Sequence, residues 1–73
     1  MDSIDIFCKN VSFLRRKHAL SKKVMAQKLG IGVHSLSLIE NGVLPKRLTA
    51  DVLIEIFNAF GITPERILSE LIE

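Results

Sequence analysis

Nine basic side chains stand between residues 9 and 47 (Lys9, Arg15, Arg16, Lys17, Lys22, Lys23, Lys28, Lys46 and Arg47) against one acid, Glu40. That stretch therefore carries +8, although the whole chain of 73 residues carries only +2. The chemistry open to such a cluster is neutralisation of phosphates, because ammonium and guanidinium groups displace the counterions condensed on a polyanion. The remainder has the opposite sign. Residues 48 to 73 set Asp51, Glu55, Glu65, Glu70 and Glu73 against Arg66, and Asp2 and Asp5 add two negative charges at the start. An acidic remainder is expected to face away from a polyanion, while solvated helix faces are the plainer account of the same charges.

Catalytic chemistry has far less to work with. His18 and His34 are the only histidines and Cys8 the only thiol. No His-x-x-x-His, Cys-x-x-Cys or glycine-rich phosphate loop occurs, so no catalytic residue, no metal site and no cofactor is expected. A helical domain this small has little volume for a substrate pocket, and no small-molecule ligand is evident. His18 reads as a partner for a helix C-terminus or a half-buried packing residue, and Cys8 as a small buried hydrophobe.

The elements that must position the basic cluster follow from caps and periodicity. Ile4, Phe7, Val11, Leu14 and His18 recur at intervals of three and four, one stripe of a helix from about Ile4 to Lys17. Ser21 is placed as an N-cap behind Leu20, and Met25 and Leu29 mark the buried stripe of a second helix. Gly30 closes that helix in the left-handed conformation, and Ile31 plugs the corner. Gly32 then caps a third helix that turns Leu36, Ile39 and Glu40 inward and Val33, His34, Ser37 and Leu38 largely outward, until Asn41-Gly42 stops it. Two short helices joined by a tight turn have the layout of a helix-turn-helix, which holds one helix as a scaffold and offers the start of the next to a DNA major groove.

Two more helices complete the chain. Thr49 is expected to cap a fourth, with Asp51 in its first turn and Val52, Leu53, Ile56, Phe57 and Phe60 as its apolar face, closed by Gly61. Thr63-Pro64 is a cap followed by proline at the first helical position, so a fifth helix is expected from Pro64 to about Ile72, with Ile67, Leu68, Leu71 and Ile72 apolar. No strand pattern is visible. The fold class is thus all-α, five helices in one domain over residues 1–73.

With Arg15 in the first helix, Ser21, Met25-Ala26 and Leu29-Gly30 in the second, and Ile39-Glu40-Asn41-Gly42 ending the third, the chain resembles the phage-repressor and Cro-like helix-turn-helix regulators. The likeness runs on through Pro45 and the helix from Leu53 to Phe60 to Gly61-Ile62, covering roughly residues 7 to 70. It implies a compact lambda-repressor-like domain that regulates transcription, with double-stranded DNA as partner and repression as the expected sense. Lys22, Asn41, Lys46 and Arg47, together with Gly32 at the turn, are the expected phosphate contacts. Val33, His34, Ser35, Ser37 and Leu38 are the expected base readers.

At that surface the chain departs from the family. Positions matching Val33, His34 and Leu38 often hold glutamine, arginine, lysine, serine or threonine, which pair with base edges, whereas Val33 and Leu38 offer only contact with thymine methyl groups. An apolar outer face suits a protein contact equally well. A protein-interaction or dimerisation module that keeps the fold but has lost base readout is therefore the alternative function.

Glu40 is the sole acid in the basic segment and faces inward, where an unpaired carboxylate is costly. The family pairs it with the position of Arg15, so a structural ion pair is expected. Helices 4 and 5 offer more apolar surface than a 73-residue monomer readily hides, which points to a homodimer through Leu68, Leu71 and Ile72. Completion of the small core is the competing account, and the family commonly dimerises through this region. No stretch approaches about 18 uninterrupted apolar residues, so no membrane span is expected. The start lacks a signal peptide pattern and the lone Cys8 suits a reducing compartment, so the expected location is cytoplasmic.

Overall fold

The computed structural model describes residues 1–72, and they form five helices with no strand among them. The first, α1, runs Ser3–Lys17 and starts where the Asp2 carboxylate accepts the Asp5 N–H at 2.9 Å. Phe7, Cys8, Val11 and Leu14 are buried along it, the stripe set by its three-and-four spacing. Ile4 departs from that stripe: it is 47% exposed in the first turn of the helix, on the rim of an apolar groove. His18 lies one residue beyond the helix as its C-cap, solvent-exposed, with its ring tilted against Phe60 at 5.2 Å between centroids.

The next two helices, α2 (Lys22–Leu29) and α3 (Val33–Glu40), pack on each other, and α3 also rests on α1. Met25, Ala26 and Leu29 from α2 and Leu36 and Ile39 from α3 enter the core fully. Behind them α4 (Asp51–Phe60) contributes Val52 and Ile56, and Ile62 and Ile67 fill the end nearest α5 (Pro64–Ser69).

Three expectations change here. Ala50, not Thr49, is the N-cap of α4 and makes no side-chain cap bond; the Thr49 carbonyl instead accepts the Val52 N–H at 3.3 Å, so the entry is a turn that already has helical backbone. Phe57 is 48% exposed, because the core-facing side of α4 is occupied by Val52 and Ile56, with Leu53 and Phe60 at its margin. The fifth helix stops at Ser69 rather than near Ile72. Glu70 takes extended backbone (φ −140°, ψ 145°), and the wholly buried Asn10 of α1 catches the end of the chain. Its Nδ2 donates to the carbonyls of Ile67 (3.0 Å) and Glu70 (2.9 Å), and its Oδ1 accepts the Ile72 N–H at 2.8 Å. A side chain that satisfies the last carbonyls of a helix removes the need for another turn.

Candidate nucleic-acid interface

The turn between α2 and α3 is built from local rules. The Ser21 hydroxyl accepts the Val24 N–H at 3.1 Å and fixes the start of α2. Gly30, at φ 71°, closes α2 in the left-handed region, with its N–H on the Gln27 carbonyl and that of Ile31 on the Ala26 carbonyl. Gly32 is the N-cap of α3 but has no side chain to cap with, so no side-chain acceptor meets the first N–H groups of α3. Those groups, the exposed Gly32, and the side chains of Val33 (45% exposed) and His34 lie at the open end of the helix.

The opposite end of α3 is held from behind. Glu40 Oε2 accepts Arg15 Nε at 2.8 Å and Oε1 accepts Arg15 Nη2 at 2.9 Å, a two-pronged pair, and the Ser12 hydroxyl donates to Oε1 at 3.4 Å. Arg15 Nη1 also donates to the Leu20 carbonyl at 3.2 Å, so one guanidinium joins α1, the entry to α2 and the end of α3. The pair is mostly buried, with side-chain exposures of 21% and 10%. The hydrogen bond to Glu40 raises the Arg15 pKa above its ordinary value, partly opposed by desolvation. Ser12 was not singled out from the sequence, although it lies one turn before Arg15 on the same face of α1.

The remaining candidates divide by position. Lys22, in the first turn of α2, reaches across to α3, where its Nζ donates to Ser37 Oγ at 3.3 Å. Ser37, Ser35 and Leu38 are half-buried rather than fully outward, and the Leu38 carbonyl is taken by the Val43 N–H at 2.8 Å. Ser35 shares a shallow cleft with Gly32, Pro45 and Arg47, which puts Arg47 beside the start of α3. Lys46 is exposed in the same loop, and Asn41, the C-cap of α3, is exposed on a separate groove that Arg16 and Lys9 also line. Leu68 and the pair Leu71 and Ile72 are parted: Leu68 borders an apolar groove with Ile4, Leu44 and Leu53, whereas Leu71 and Ile72 border the groove with Arg16. Among the described residues no cluster of histidine, cysteine and carboxylates is arranged to hold a metal, and no helix is long and apolar enough to cross a membrane.

Two short helices about a left-handed glycine, the second open at its start and pinned at its end, define a helix-turn-helix protein of the DNA-binding class. A family model described as helix-turn-helix matches residues 13–67, and the chain belongs to that family, in its Cro- and phage-repressor-like form, whose members are DNA-binding regulators. Neither a curated protein nor a solved structure matches the chain.

Proposed function

We propose that this protein is a sequence-specific transcriptional repressor that lays the N-terminal half of α3 in the major groove of duplex DNA and acts in the cytoplasm as a homodimer. The observation that carries the reading is the open start of α3: Val33 and His34 are exposed there, Arg47 shares a cleft with Gly32 and Ser35, and Lys22 reaches Ser37 one turn beyond Val33, while the sole acid of the segment is bound to Arg15. In this reading Lys22, Gly32, Asn41, Lys46 and Arg47 meet phosphates, and Val33, His34, Ser35, Ser37 and Leu38 face base edges. Val33 and Leu38 contact thymine methyl groups, so the preferred site leans towards A·T. The homodimer is supported by large apolar side chains left in solvent, Ile54, Phe57 and Leu71 among them.

A second reading rests on the same apolar residues: Val33 and Leu38 are where a protein partner would dock if α3 no longer reads bases. Titration of a randomised duplex pool and a single selected duplex at two potassium chloride concentrations separates the two. Repression through base readout requires a selected duplex bound at least about a thousandfold more tightly than the pool. It also requires that Lys46→Ala and Arg47→Ala each lower the salt slope by about 1 for every duplex alike. Equal, micromolar binding to every duplex, unchanged by Val33→Gln with Leu38→Arg, rejects it in favour of the protein-interaction module.

A further inference from the structure

We propose that Lys22 is a specificity-determining residue as well as a phosphate ligand, because it fixes the Ser37 hydroxyl as a hydrogen-bond donor towards the groove. The proposal rests on α3 being the reading helix. A free serine hydroxyl is ambivalent, with one proton to donate and two lone pairs, and so reads base edges of either kind. Here it is not free. Lys22 Nζ lies 3.3 Å from Ser37 Oγ, and an ammonium has three protons and no lone pair, so Ser37 must be the acceptor in this contact.

Two consequences follow from that polarity. One lone pair is occupied, and the adjacent positive charge repels any further N–H approaching the oxygen, so the cytosine N4 amino group is a poor partner. The same charge draws electron density from the hydroxyl and makes its proton the better donor, as in other charge-assisted bonds. The hydroxyl therefore favours edges that present acceptors, N7 or O6 of guanine, N7 of adenine or O4 of thymine, and discriminates against cytosine on the strand it faces. Lys22 can do this because its start point is fixed: the Ser21 cap sets the first turn of α2, and the short turn at Gly30 holds α3 alongside. Two ammonium protons remain for a phosphate, so the backbone contact and the base contact are mechanically joined in one side chain.

The test uses the duplex selected by the wild-type protein from a randomised pool, remade with each of the four base pairs at every central position. Affinities are measured at two potassium chloride concentrations for wild type, Lys22→Arg, Lys22→Met, Ser37→Ala and Lys22→Met with Ser37→Ala. Wild type and Lys22→Arg should disfavour cytosine at one position by about tenfold, the lower end of what a good base contact discriminates. Lys22→Met should lose that penalty at that position alone and lower the salt slope by about 1, while Ser37→Ala should lose it with the slope unchanged. The double variant should show no additional change in base preference beyond Ser37→Ala. A Lys22→Met protein that weakens on all duplexes equally and keeps the wild-type base profile overturns the proposal and leaves DNA reading by α3 standing. A wild type with no preference at any position removes both.

Discussion

Removing the Asn10 side chain should cost a large part of the fold's stability. It is 1% exposed, and three hydrogen bonds join it to residues 57 to 62 positions further along the chain. Each bond contributes about 1 kcal/mol net, and truncation to alanine also strands groups at the end of α5 and leaves space where the amide was. The expected cost of Asn10→Ala is thus about 3 kcal/mol. A chain of 73 residues has a total stability of about 4 to 11 kcal/mol at typical values per residue, so this is a large fraction of it. Urea unfolding followed by helical circular dichroism reads the difference directly, and the melting temperature should fall by roughly 12 to 24 °C. Asn10→Asp sharpens the test. A carboxylate there faces the Ile67 and Glu70 carbonyls in a buried site, so its folded pKa must rise above the unfolded value of about 3.9. A raised folded pKa gives stability that is full below the unfolded pKa and is lost as pH climbs through the folded one. The deficit of Asn10→Asp against wild type should accordingly widen from about pH 4 upward. An Asn10→Ala cost under about 1 kcal/mol, or a pH-independent aspartate variant, would show that the clamp contributes little.

Other consequences are more local. Glu40→Gln and Arg15→Met should each cost about 2 to 4 kcal/mol, since either change leaves a mostly buried polar partner stranded; urea midpoints equal to wild type would reject the pair as a stabilising element. Burial first, then the negative charges of Asp5 and Asp2, pushes the Cys8 thiol pKa up, so iodoacetamide should label the folded protein near neutral pH far more slowly than the urea-unfolded chain; equal rates would contradict that environment. Sedimentation at tens of micromolar should show a homodimer that Leu71→Glu or Phe57→Lys dissociates, and a wild-type monomer would remove the dimer from the proposed function.

The elements that could be read from the sequence are those governed by neighbours a few residues away. Ser21 before α2, left-handed Gly30 and Gly61, and Thr63-Pro64 before α5 act within one turn of the chain, and each stands where its chemistry requires. The features that escaped are long-range. Nothing near Asn10 in sequence announces that its partners lie beyond residue 66, and without that clamp the apolar run Ile67, Leu68, Leu71, Ile72 reads as one continuous helix. Phe57 and Ile4 fit an apolar periodicity that a chain this short cannot cover on every side. At the candidate interface the residue types set out the expected contacts, yet the reach of Lys22 to Ser37 depends on how α2 and α3 are packed, and no spacing rule gives it.

The polar anchors of α3 and its most exposed side chains, Val33 and His34, sit at opposite ends of the helix, so the residues that hold it are not those it presents to solvent. Arg15, Ser12 and Glu40 hold the C-terminal end, Leu36 and Ile39 hold the inner face, and neither group involves Val33 or His34. Uncharged substitutions at those two exposed first-turn positions should therefore change stability by no more than about 0.5 kcal/mol, because neither residue enters the core and Gly32 makes no side-chain cap bond for them to disturb. Leu38 and Ser37 are different, being half-buried, with Ser37 bonded to Lys22. Changes there act on packing and on contact with a partner together. If α3 reads bases as proposed, preference for one DNA site over another can drift freely through positions 33 and 34, whereas at 37 and 38 it is constrained by the fold that presents them.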